Sequence, residues 1–241
     1  MKERIQSRLN SKIHSLHDIN REILYKNRLT KSLYFILLLV AACTMNVFMI
    51  YFTLTEVISI NIVDKIFDLF IFTSLIIGFF VLPYHPKHYG FNLNRLKENL
   101  IFGIIIGIVL FCGAISFRIY MVSKGALEFK FDTDIARFLR DLLYYPINSL
   151  AQEALFRGSM QSFFIAVLEK AKTNKLLSIM IPSLIFAQFH ILYGGILVFL
   201  GAFVLSMLLG LFYERTRSLV GVTIIHFFAG AGLFFFSSAI K

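Results

Sequence analysis

The chain lacks any polar stretch long enough to fold as a soluble domain. Of its 241 residues 58% are hydrophobic, with 28 Phe and a mean hydropathy of +0.76. Soluble domains run at about 45–50% apolar, so this excess argues against an ordinary soluble enzyme and points to a polytopic membrane protein. Cysteine is nearly absent as well. Cys43 and Cys112 stand far apart in apolar runs, which gives neither a thiolate metal pattern nor a disulfide framework, and both read as small apolar helix residues. No close-spaced ligand pair of the HExxH kind occurs. His14/His17 and His85/His88 sit three apart, but on polar segments where solvated surface is the simpler reading. No internal repeat, low-complexity run or flexible linker stands out. Acidic residues are also scarce, 14 Asp and Glu against 24 Lys and Arg, for a formal net charge of +10.

Much of that positive charge lies in "MKERIQSRLNSKIHSLHDINREILYKNRLTK". The segment does not read as a signal peptide, because its charged part is long and no small-residue cleavage site follows the apolar run. Ile5, Leu9, Ile13, Leu16, Ile19 and Ile23 recur at three- and four-residue steps, which predicts an amphipathic helix over 1–31 lying on an anionic cytoplasmic leaflet. Nucleic acid is the competing partner for such charge, and nothing else in the chain supports it.

Residues 32–241 form one predicted integral domain, all-α, a polytopic membrane helix bundle. At about 20 apolar residues per span, the predicted spans are Ser32–Leu54, Ile66–Leu82, Leu100–Val122, one within Ile135–Leu168, Leu177–Ile191, Ile196–Tyr213 and Leu219–Ile240. The fourth stretch is too long for one span. Pro146 is expected to divide it into a short interfacial helix and a second helix, giving seven spans or eight helices. Lys and Arg are richer in alternate connections, including Lys87, Arg95 and Lys97, then Lys170, Lys172 and Lys175, then Arg215 and Arg217. The positive-inside rule therefore places the N-terminus in the cytoplasm.

Within this apolar chain, "AQEALFRGSM" (Ala151–Met160) carries charge. Ser149, Glu153, Arg157 and Gln161 recur every four residues and predict one polar stripe, with Asn148 and Gln152 beside it. Ionisable groups in membrane helices are costly and face the bundle interior or a wet cavity. Glu153 and Arg157 are one turn apart and can pair; gluing helices together is the plainer role for such a pair. "FAQFHILYGG" adds His190 and "GVTIIHFFAGAG" adds His226. A lone membrane histidine usually bonds a neighbouring helix, but two histidines and a Glu/Gln pair on three helices point to a shared site. A carboxylate and two histidines also leave a metal open, though no cofactor is expected.

These motifs resemble the CAAX-protease and bacteriocin-processing family of ABI-type membrane proteins, whose pattern is EExxxR, then FxxxH, then HxxxN. "QEALFR" (Gln152–Arg157) followed by Gly158 fits the first except at its first acid. Phe186–His190 fits the second, and "ERTRSLVGVTIIHFFAG" fits the third except that Gly230 replaces Asn. The resemblance covers Asn148 to the end, within a motif-bearing core at 133–241. It implies that the first acid position and the middle histidine activate water, and that the last histidine and the Asn position hold the oxyanion. Carried over by position, the catalytic candidates are Glu153, His190, His226, Gln152 and Arg157; Ser149, Phe186 and Gly230 are substrate-binding candidates.

A neutral amide at 152 cannot take a proton from water, and loss of a general base typically costs about 10²–10⁴ in rate. The leading expectation is therefore acyl transfer to an amine at the outer leaflet, such as N-terminal acylation of bacterial lipoproteins, with a second protein to supply the acyl donor. The alternatives are an intramembrane endopeptidase cutting a hydrophobic or lipidated peptide, such as a pheromone or bacteriocin leader, and an inactive scaffold or immunity protein. The expected setting is a bacterial cell membrane, with membrane lipids as partners.

Overall fold

The computed structural model describes residues 30, 32–81, 89–93, 95–125, 135–168, 174–193 and 195–234. The expected N-terminal amphipathic helix and the His14/His17 and His85/His88 pairs lie outside the described residues. Among the described residues every regular element is helical. In order they are α1 (Ser32–Leu54), α2 (Ile60–Val81), α3 (Leu96–Ser123), α4 (Ile135–Glu153), a π-helical segment (Ala154–Gln161), α5 (Ser162–Val167), α6 (Asn174–His190) with a 3₁₀ turn at Ile191–Tyr193, α7 (Gly195–Thr216) and α8 (Leu219–Phe234).

Burial is inverted relative to a soluble protein. Phe80 and Leu54 are 80% and 77% exposed, as are many Ile, Leu and Val on every long helix, while Ser149, Glu153, Arg157, Gln161, Ser206 and His226 are buried. Water would penalise that apolar exterior, whereas acyl chains solvate it without cost. Four helices, Ser32–Leu54, Leu96–Ser123, Lys175–Tyr193 and Gly195–Thr216, are long and apolar enough to cross a membrane, with Leu219–Gly232 a shorter apolar helix. The protein is a helical membrane bundle.

Two boundaries differ from expectation. α2 begins at Ile60, before the predicted Ile66, so it takes in Asp64 and Lys65 in addition to Asp68, which the predicted span already held. Pro146 does not divide the fourth stretch but lies inside α4. Proline within a membrane helix is tolerated where neighbouring groups satisfy the freed backbone. The departure from α geometry falls instead at Ala154–Gln161.

The π segment is clamped from both sides. Leu155, Phe156 and Met160 pack into a cluster with Phe35, Phe67, Phe186 and Phe189 from α1, α2 and α6. Ala154 packs into a second cluster with Leu209, Tyr213 and Val222 from α7 and α8. All eight residues of the segment are buried. Gly158 is required by close approach, since a Cβ there would meet the Tyr89 carbonyl oxygen at 2.6 Å. π-Helical turns are rare and concentrate at functional sites.

Candidate active site

The predicted stripe is realised, with Ser149, Glu153, Arg157 and Gln161 all fully buried. Glu153, the last residue of α4, is its centre. The Nδ1–H of His226, on α8, donates to Glu153 Oε1 at 2.8 Å; because an ionised carboxylate only accepts, this contact fixes the tautomer and leaves Nε2 as the nitrogen available for chemistry. Arg157 Nε lies 3.3 Å from Glu153 Oε2, an ion pair within one helix turn. The same guanidinium donates to Ser206 Oγ on α7 at 2.8 Å and stands 5.7 Å from the Phe186 ring centroid, in cation–π range. Gln161, a turn further on, donates to the Gly210 carbonyl at 2.9 Å. Glu153 and Arg157 thus tie three helices through side chains alone.

Helix gluing is a poor reason for such a cluster. Apolar replacements for a buried ion pair are often neutral, or stabilising by about 1–4 kcal/mol. A charge pair held out of contact with lipid at that disadvantage is better explained by what it positions, here the ring of His226.

His190, at the end of α6, contacts the Phe186 carbonyl at 2.9 Å through Nδ1. A carbonyl can only accept, so Nδ1 carries the proton and Nε2 bears the lone pair. Phe186 stands between the two imidazoles, with ring centroids 4.4 Å from His190 and 5.4 Å from His226. Both histidines, Phe186 and Gln152 line one cavity of about 450 Å³. Gln152 Nε2 donates to Asn148 Oδ1 at 3.3 Å, and Asn148 is also on the cavity wall. Glu153, Arg157, Ser149 and Gly230 are not among the lining residues. Glu153 and Arg157 act on the cavity from behind, through His226 and Phe186.

The sequence reading missed several wall residues. Asp64 and Asp68 of α2 line the cavity, together with Tyr144, Tyr145 and Tyr193. Tyr193 donates to Asp64, and Tyr144 donates to Asp68 at 2.9 Å. The signal was available: two carboxylates four residues apart lie on one helix face, and an acid in a membrane helix is a site candidate by default. Ser206 carried no comparable signal, being one hydroxyl in an apolar helix. Among the described residues no three of His, Cys, Asp and Glu come together closely enough to hold a metal ion.

Fold and site together define a helical membrane protein with a Glu–Arg–His cluster behind an interior cavity whose wall carries histidines, carboxylates and tyrosines. Residues 135–231 match the family model described as Type II CAAX prenyl endopeptidase Rce1-like, the family to which the three motifs point, and Gln152, Arg157, His190, His226 and Gly230 all fall inside the match. No curated protein and no solved structure matches the chain. The match names a peptidase family, and nothing in the comparisons supports the acyl-transfer expectation.

Proposed function

We propose that the protein is an intramembrane endopeptidase acting on a hydrophobic or lipidated peptide. The observation that carries this reading is that His190 and His226, from two helices of the segment matching an endopeptidase family, share one cavity. His190, with Nδ1 tied to a backbone carbonyl, presents an Nε2 lone pair that can take a proton from water. His226, held through Nδ1 by Glu153, can donate from Nε2 to the developing oxyanion as the imidazolium, with a proton on each nitrogen. Phe186 spaces the two rings.

Gln152 sets the pace in this reading. It occupies the position where the family pattern has an acid, yet it can only orient water, with its amide anchored by Asn148. Turnover is therefore slow beside that of an enzyme with a carboxylate there. The cavity sits at the end of the bundle where α2 begins and α6 ends. With the basic N-terminus in the cytoplasm, that end faces the outer leaflet, where exported peptides in a bacterial membrane would present themselves.

The test is peptide cleavage in liposomes containing the purified protein, offered a panel of hydrophobic and lipidated peptides and read by mass spectrometry. Splitting of at least one peptide, lost in both His190→Ala and His226→Ala, is the expected result. Equal splitting by wild type and His190→Ala, or none by any form, would overturn the proposal.

A further inference from the structure

Gly230 leaves the site without a side chain at one of its motif positions, but that space is filled. A Cβ built on Gly230 would fall 1.6 Å from the Tyr145 hydroxyl oxygen and 2.6 Å from the ring carbon that bears it. Tyr145 comes from α4, two turns before Glu153, and reaches across to α8. Its ring lies edge-on to His226 with centroids 6.3 Å apart and beside Phe227 at 5.8 Å. Ser149 and Glu153 are polar neighbours of its hydroxyl, and the residue lines the cavity together with His190 and His226. A phenolic O–H held by packing on a helix, next to the imidazole that faces the reacting carbonyl, is a preorganised donor of the kind that stabilises developing negative charge.

We propose that the Tyr145 hydroxyl is a second oxyanion donor of this site beside His226, standing in the space that a side chain at position 230 would otherwise take. The proposal rests on the endopeptidase reading. In that reaction the water oxygen bonds to the peptide carbonyl carbon, its proton passes to His190 Nε2, and the carbonyl π electrons move onto oxygen. Tyr145 keeps its proton and donates a hydrogen bond to that oxygen alongside His226. When the C–N bond breaks, the departing nitrogen takes the proton held by His190, and Tyr145 is unchanged over the cycle. Glycine at 230 is then a requirement of the arrangement, because any Cβ there would push the phenol away.

The test uses the full chain in liposomes and two measurements. With a peptide that the wild type cleaves, Tyr145→Phe is expected to lower kcat by about 10²–10³, the usual loss for one oxyanion donor, with KM changed less than about threefold. Gly230→Asn is expected to lower kcat similarly, by displacing the hydroxyl. The pair Tyr145→Ala/Gly230→Asn, which opens the space and returns a donor, is expected to recover at least about tenfold over Tyr145→Ala. The second measurement is binding of a phosphinic peptide, a tetrahedral mimic, against its parent peptide. Wild type should prefer the mimic, and Tyr145→Phe should lose about tenfold or more of that preference while binding the parent equally. A preference unchanged in Tyr145→Phe, or kcat within threefold of wild type, overturns the role of Tyr145 and leaves the peptidase reading standing. A wild type that neither cleaves nor prefers the mimic overturns both.

Discussion

Glu153 shows how much one buried side chain can organise. It accepts from His226 and pairs with Arg157, whose other contacts reach Ser206 and the face of Phe186. Removing either ion alone strands the other in a low-dielectric interior, which costs about 3–5 kcal/mol. Glu153→Leu should therefore lower the thermal unfolding midpoint in detergent sharply. The double variant Glu153→Leu/Arg157→Leu should recover most of that loss yet cleave no peptide, since His226 is left without its orienting carboxylate. Recovery of activity in the double variant would show that the cluster has only a structural role. Ser206→Ala is milder; it withdraws one partner from a buried guanidinium, at about 1–3 kcal/mol. The four-residue spacing made Glu153 and Arg157 legible in the sequence. Tyr145 was not, because one tyrosine among ten carries no mark of the neighbour whose missing side chain it replaces.

At the scale of the element, the π segment Ala154–Gln161 is the least legible feature and one of the most consequential. An α-helical count already places Ser149, Glu153, Arg157 and Gln161 on one face, so nothing in the spacing betrays the wider turn. What makes the turn tenable is tertiary, namely the two apolar clusters that grip it and the Tyr89 backbone lying against Gly158. Gly158→Ala should force these apart and lower the unfolding midpoint by the equivalent of about 1–3 kcal/mol, in the range of overpacking. It should also lower activity with His190 and His226 intact; a variant as stable and active as wild type would contradict the tight approach. The early start of α2 has a related origin. Hydropathy began the span after Lys65, whereas Asp64 belongs to the helix together with Asp68, and both line the cavity, where Tyr193 and Tyr144 meet them.

For the whole molecule, composition alone established the membrane bundle, and the inverted burial accounts for it. The same apolar runs could not show which helices meet, because lipid-facing and helix-facing Leu and Ile look alike without a hydrophobic driving force between spans. The proposed orientation rests on the basic connections alone and is testable. With Cys43 and Cys112 replaced by Ser, Val57→Cys in the turn before α2 should react with a membrane-impermeant maleimide added to intact cells. Reaction only after lysis would place the cavity toward the cytoplasm instead.

The proposed peptidase turns over slowly because Gln152 cannot accept a proton. Cleavage of the best peptide by Gln152→Glu, compared with wild type in the same liposomes, tests it most directly. The predicted result is a rise of at least about 10²-fold in kcat, the lower end of what a general base contributes, abolished again by adding His190→Ala. Unchanged or reduced cleavage in Gln152→Glu, with the protein folded, would contradict it.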